Sequence, residues 1–194
     1  MKKIKKILIG THNQGKYKEI SQLLSKKIVK ISPKNLHISS PKETGKTFKA
    51  NAEIKAKYFY KHSQLPCISD DSGLTIRSLQ NKPGVHSSRF AKKNGGFKSA
   101  MKKIISLMKN KKDRSATFFC ALTLIINRRK YSVIGRVNGH ISYKILGSNG
   151  FGYDSIFLPR GYKITFGQMK KNQKIKIDHR QKAFIKLRKK INIL

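Results

Sequence analysis

Four short stretches of the 194-residue chain carry side chains whose types and spacing suit chemistry. The first, Gly10-Thr11-His12-Asn13-Gln14-Gly15-Lys16-Tyr17, is one position away from the G-x-x-x-x-G-K-[ST] phosphate loop. Tyr17 stands where a small hydroxyl would hold magnesium, and a phenol cannot replace it in so tight a turn. What survives is a turn feeding a helix N-terminus, whose N–H groups and positive dipole end suit an anion, with Lys16 adding charge. An ordinary strand-to-helix turn has the same sequence.

The second stretch is Ile68-Ser69-Asp70-Asp71-Ser72-Gly73. Adjacent carboxylates repel unless a cation or basic partners stabilise them, so the pair points to a divalent metal. A solvated Asp-Ser-Gly turn is the alternative. If the chain stays extended there, the two side chains point to opposite faces, one to a site and one to the framework. The third, Gly150-Phe151-Gly152-Tyr153-Asp154, leaves a ring between glycines, either to lie against a planar ligand with Asp154 as acceptor or to cap a core. The fourth gathers Lys174 with Asp178, His179 and Arg180 near one helix start, which a solvated charged helix also explains.

Composition sharpens the choice. There are 45 Lys plus Arg, made up of 36 Lys and 9 Arg, against 8 Asp plus Glu, for a net charge of +37. A basic surface attracts phosphate whatever the sequence. However, base readout leans on the Arg fork, and scattered Lys reads as a compositional bias, so nucleic-acid binding is expected only as non-specific electrostatics. The acids are the informative minority: Glu19, Glu43, Glu53, Asp70, Asp71, Asp113, Asp154 and Asp178. Cys67 and Cys120 sit in apolar stretches and read as buried thiols, with no zinc spacing. No apolar run approaches the roughly 20 residues that cross a bilayer. The basic start at Met1-Lys2-Lys3-Ile4-Lys5-Lys6 precedes Ile7-Leu8-Ile9, too short an apolar run for a secretory signal, so a cytoplasmic protein is expected.

The elements that must position these groups follow from periodicity. Lys5 to Gly10 and Ile28 to Ile31 predict strands, and Gly15 to about Lys27 an amphipathic helix. Ser39 to Lys46 predicts a loop, and Thr47 caps a helix to about His62. Pro66 to Ser69 predicts a strand ending in a turn at Asp70-Asp71-Ser72-Gly73, and Pro83-Gly84 a second turn. Lys98 to Lys109 predicts a helix with Met101, Ile104, Ile105 and Met108 inward. Thr117 to Ile126 and Tyr131 to Val137 predict a hairpin about Arg128-Arg129. Gly147 to Gly152 predicts a loop, and Ile175 or Asp178 to about Ile191 a basic terminal helix. A mixed-sheet α/β fold is the expected class.

Together the motifs resemble the Ham1-type inosine/xanthosine triphosphate pyrophosphatases. Thr11 to Lys16 resembles the family's phosphate loop. Glu43-Thr44-Gly45, Thr47-Phe48, Asn51-Ala52 and Lys55-Ala56 resemble its second block. Asp70 to Leu74, Pro83-Gly84-Val85 with Ser87 to Phe90, Phe151 to Asp154 with Ile156-Phe157, and Lys174 with His179-Arg180 follow in order. The resemblance implies one domain over residues 1–194, two-lobed around a long mixed sheet, with the site in the central cleft and a homodimer as the assembly. It implies Mg2+-dependent hydrolysis of non-canonical purine nucleoside triphosphates (ITP, dITP, XTP) to monophosphate and pyrophosphate. Glu43 and Asp71 match metal positions, and Asp71 the acceptor of the attacking water's proton. Thr11, His12, Asn13, Gln14, Gly15, Lys16 and Lys55 match the phosphate site. Ser72, Phe151, Gly152, Tyr153, Asp154, Lys174, His179 and Arg180 match the nucleotide pocket. The departures are Ala50 for an acidic residue, Ser155 for Pro, and Asp178 and Gln181 for Ser and Gly. A Maf-like pyrophosphatase and a basic nucleic-acid-binding module without turnover are the competing readings.

Overall fold

A computed structural model describes residues 4–191, so Met1, Lys2 and Lys3 of the basic opening lie outside the described residues. The Ile-rich run forms β1 (Lys6–Ile9) and stops at Gly10, where a side chain would collide with Ser69 Oγ and the Phe59 ring. Helix α1 (Gln14–Leu23) starts at Asn13, whose side-chain oxygen accepts the Lys16 N–H at 3.0 Å. Strand β2 (Val29–Ile31) follows. Residues 39–46 form no helix or strand, and Thr47 caps α2 (Phe48–Ser63) by accepting the Ala50 N–H.

Strand β3 (Cys67–Ile76) corrects the expected turn, because the chain stays extended through Asp70-Asp71-Ser72-Gly73. Turn chemistry is a local preference, and here buried partners for both carboxylates override it. The second expected turn is a short strand β4 (Lys82–Pro83) leading into a 3-10 turn over Gly84–His86, then α3 (Ser87–Lys93). Helix α4 (Phe97–Leu107) buries Ala100, Met101 and Ile104. Strands β5 (Ser115–Ile126) and β6 (Arg129–Ile141) are joined by Asn127 and Arg128, both at positive φ, as a two-residue hairpin requires. Strand β7 (Phe157–Pro159) has no counterpart among the predicted elements. The single terminal helix is corrected to two, α5 (Lys171–Ile177) and α6 (His179–Lys190), broken where Asp178 turns extended at ψ 166°.

Among the described residues, seven strands form one mixed sheet in the order β2-β1-β3-β5-β6-β7, with β4 paired to β3. Strand β1 runs parallel to β2 and β3, whereas β4 and β7 lie antiparallel to their neighbours. The chain divides into two compact units. The first takes the chain through Asp71, Cys120–Gly135, and the segment from Arg180 onward, around a core including Ile7, Ile9, Ile20, Ile68, Leu124 and Leu187. The second takes Ser72–Phe119 and Arg136–His179, around Leu74, Ile76, Ile104, Phe118, Phe157 and Phe166. Each fully buried side chain of that size is worth about 1.5–3 kcal/mol relative to exposure. Both cysteines are buried and unpaired with each other, and burial pushes the Cys67 thiol up to about 12. Among the described residues no helix is long and apolar enough to cross a membrane.

Candidate active site

In the first unit, β1 and β3 are parallel neighbours with Ile9 opposite Ile68. Their C-terminal ends therefore set the Thr11–Lys16 loop beside Ser69-Asp70-Asp71. Thr11 Oγ1 accepts the Asn13 N–H at 3.2 Å, which shapes the loop, and His12 Nδ1 pairs with Ser40 Oγ at 2.7 Å. Gln14 and Gly15 open α1. Tyr17, the residue that breaks the phosphate-loop pattern, donates its hydroxyl to the Lys30 carbonyl and packs against the core. A cavity of about 190 Å³ lies beside this loop, lined by Thr11, His12, Gln14, Tyr17, Ser32 and Asn35 among others.

The two aspartates take separate partners. Asp70 is fully buried, and its Oδ2 lies 3.2 Å from Lys16 Nζ and 2.9 Å from Arg180 Nη2. The other terminal nitrogen of Arg180 donates to Glu19 Oε2. Burial alone would raise Asp70, but Lys16, Arg180 and Lys55 outweigh it and hold the carboxyl far below its ordinary range. One residue on, on the alternate side of the strand, Asp71 Oδ2 accepts from Asn51 Nδ2 at 3.0 Å. Asn51 Oδ1 in turn accepts the Gly45 N–H at 2.7 Å, which ties the Glu43-bearing loop to the same amide.

Glu43 Oε1 lies 2.6 Å from Lys55 Nζ. Asp71 sits above its ordinary value because burial and the Glu43 charge together exceed the pull of Lys16, Lys55 and Asn51. Burial would lower Lys55, yet the charges of Asp70, Asp71 and Glu43 raise it. Asn51 and Lys55 are four residues apart on α2 and share a face; Lys16 and Glu19 do the same on α1 at three.

The second unit holds a different constellation. Asp154 Oδ2 accepts the Phe151 N–H at 2.8 Å and Lys174 Nζ at 2.7 Å. The Lys174 ammonium lies 5.1 Å from the Phe151 ring centroid and 5.6 Å from that of Phe166. Gly150 permits this turn at φ 76°, where a side chain would meet the Asp154 carboxylate. Tyr153 donates to the Ser87 carbonyl at 2.9 Å, and burial pushes its phenol above the usual range. Ser72 stays within β3 and is half-buried. His179 is buried and stacks on Phe118, with centroids 4.8 Å apart and planes 8° apart.

The structure thus gathers Thr11 to Lys16, Glu43, Lys55 and Asp71 in one unit, with Arg180 engaged there by Glu19 and Asp70. It gathers Phe151 to Asp154 with Lys174 in the other. Sequence reasoning passed over Glu19, Asn51 and Phe118 as site residues and left Asp70 without a role. The helical spacings Lys16/Glu19 and Asn51/Lys55 carried the signal for two of them.

A model of the Ham1 family matches residues 7–190. A dITP/XTP pyrophosphatase of Caulobacter vibrioides is 39% identical over 186 residues, covering 94% of this chain and 96% of the relative. One from Treponema denticola is 38% identical over 187 residues with the same coverage. Among solved structures, a HAM1 protein from Coxiella burnetii matches with a TM-score of 0.87 at 34% identity, over 96% of this chain and 98% of that one. The Staphylococcus aureus Ham1 protein matches at 0.86 and 32%, over 97% and 98%. With the match running almost end to end in sequence and in fold, the chain belongs to the Ham1 family.

Proposed function

We propose that the protein is a Mg2+-dependent pyrophosphatase that hydrolyses the non-canonical purine nucleoside triphosphates ITP, dITP and XTP to monophosphate and pyrophosphate, acting in the cytoplasm as a homodimer. The observation that carries this reading is the first unit's charge cluster, in which Glu43, Asp70 and Asp71 interleave with Lys16 and Lys55. The names of the relatives, dITP/XTP pyrophosphatases, support it.

The donor set fits magnesium. Glu43 and Asp71 are carboxylates near enough for the charge of one to raise the other. Among the described residues no three His, Cys, Asp or Glu side chains form a closed cage. Magnesium is commonly held by one or two carboxylates, completed by waters and substrate phosphates, so an open pair suffices. When bound, the ion would neutralise phosphate charge and polarise the bond that breaks.

The chain's own groups supply the rest. Lys16 and the α1 N-terminus face the polyphosphate, and Asp71 accepts the proton of the water whose oxygen joins phosphorus as the α–β anhydride bond breaks. Asn51 fixes the orientation of the Asp71 carboxylate. In the second unit, Phe151, held over Lys174 by Asp154, supplies a face for a planar base. Lys174 and His179 are the donors for a 6-keto oxygen; adenine's 6-amino group would leave them unpaired.

Pyrophosphate release from ITP, dITP, XTP, GTP and ATP, with and without Mg2+, tests the proposal. The expected result is a metal-dependent preference for the first three and a loss of about 10²–10⁴ in kcat for Asp71→Asn. Equal turnover of all five, or an unaffected Asp71→Asn enzyme, overturns it. Preference for a pyrimidine or modified nucleotide would favour the Maf-like reading. Sedimentation measures the assembly.

A further inference from the structure

Glu43, one of the two carboxylates assigned to the metal, already holds a cation. Lys55 Nζ lies 2.6 Å from Glu43 Oε1, and its ammonium is almost wholly out of water. Its charge is coupled to Asp70 and Asp71 as well as Glu43. The three acids are not equivalent. Asp70 is balanced by Lys16 and Arg180, groups carried on α1 and α6. Glu43 sits on a segment without regular structure, one-third exposed, and Lys55 is its ion-pair partner. Three grouped carboxylates, two of them buried, repel one another and favour a neutralising charge whether or not a metal is bound.

We infer that Lys55 is the metal's stand-in: in the metal-free protein it neutralises Glu43, and metal entry is an exchange in which Glu43 leaves the ammonium for the ion. This rests on the magnesium reading above and deepens it. The exchange gives Lys55 two opposed effects. Before nucleotide arrives it competes with the metal for Glu43 and weakens metal binding. Once Glu43 has moved to the ion, the ammonium stays on α2 beside Asp71 and meets the incoming polyphosphate. Phosphate that takes up Lys55 releases Glu43, so nucleotide and metal each promote the other's binding, and the coupling is reciprocal. A lysine that only bound phosphate would leave nucleotide-free metal affinity unchanged.

Calorimetric titration of Mg2+ into nucleotide-free wild type, Lys55→Met and Lys55→Arg tests the exchange. Lys55→Met is expected to bind Mg2+ about tenfold more tightly than wild type. Tenfold is the lower bound, the effect of one unit charge on a divalent ion about 6 Å away at the dielectric of bulk water, and burial of Lys55 can only enlarge it. Lys55→Arg, which keeps the charge, should bind no more tightly than wild type. A non-hydrolysable ITP analogue should tighten Mg2+ binding less in Lys55→Met than in wild type. Unchanged or weaker Mg2+ binding in a folded Lys55→Met overturns the inference.

Should that variant fail to fold, wild type labelled at lysine Cε carries the test. Mg2+ alone should shift the resonance that is missing from Lys55→Arg, and a resonance that stays fixed while Mg2+ binds overturns the exchange. Failure of the function itself looks different: wild type then shows no Mg2+-dependent turnover of ITP. If wild type does turn over ITP with Mg2+ and Lys55→Met binds the ion no better, only the exchange is lost.

Discussion

Arg180 Nη2 donates to Asp70 Oδ2 at 2.9 Å, joining α6 to β3 across 110 residues of sequence, with both side chains essentially out of water. The pair is more than a local contact. Asp70 also takes Lys16 from α1, and Arg180 also takes Glu19, so two acids and two bases interlock at the end of the first unit's parallel strands. This scaffold holds the residue before Asp71 rigidly, and Asn51 Nδ2 donates to the Asp71 carboxylate at 3.0 Å. Under the proposed mechanism, positioning falls to Asp70 and proton transfer to Asp71, adjacent residues with separate partners.

Removing Asp70's charge should be costly. Asp70→Asn leaves the Arg180 and Lys16 charges undercompensated in a buried setting, for a loss of about 3–5 kcal/mol. Urea unfolding followed by circular dichroism measures it. A loss below about 1 kcal/mol would mean that the interlocked charges are not a stabilising scaffold.

The pH dependence has a definite sign. The Asp70 carboxyl is held below its unfolded value, so the stability it contributes is present above about pH 4 and is lost as pH falls toward its folded value. Asp71 is shifted upward and acts in the opposite sense, favouring the folded state as it protonates in acid. Asp70, fully buried between Lys16 and Arg180, should dominate the acid limb. Urea midpoints from pH 7 to 3 should fall for wild type and stay flatter for Asp70→Asn. Parallel curves would assign the acid limb elsewhere.

The order of motifs along the chain was legible, and so were the elements that hold them. β1, the Asn13-led turn and the Thr47-capped α2 follow directly from Ile runs, glycine and a hydroxyl cap. Illegible were the features set by partners distant in sequence. Asp70-Asp71-Ser72-Gly73 has turn residues, yet it is strand because Lys16, Arg180 and Asn51 receive its carboxylates. Arg180 lies in a motif matched to the nucleotide pocket, and its terminal nitrogens donate to Glu19 and Asp70, partners far away in sequence. The stacking of His179 on Phe118, which sits on β5, leaves no mark in either local sequence.

Asn51 should matter more to turnover than to binding. Its amide donates to Asp71 and accepts from Gly45, so Asn51→Ala frees both the Asp71 carboxylate and the Glu43 loop. A fall in kcat of about 10–100-fold is expected, with KM for ITP within about threefold, as for an interaction exerted mainly in the transition state. The lost buried hydrogen bonds should cost about 1–3 kcal/mol of stability. Steady-state kinetics well below the variant's melting temperature separates the two effects. A KM rise with kcat intact would make Asn51 a binding residue instead.

The Phe151 turn can be tested through its glycine, with a built-in control. Gly150 and Gly161 both have positive φ, 76° and 85°, so alanine at either should cost roughly 1 kcal/mol of backbone strain. Around Gly161 nothing lies within 4 Å of an added side chain, whereas at Gly150 that side chain meets the Asp154 carboxylate. Gly150→Ala must therefore displace Asp154 from the Phe151 N–H or from Lys174, adding about 1–3 kcal/mol for disturbed buried hydrogen bonds. Thermal unfolding of the two variants should show Gly150→Ala clearly less stable, and KM for ITP should rise only there. Equal stability losses would mean that Asp154 yields without cost, and the turn would then be no rigid support for the Phe151 ring.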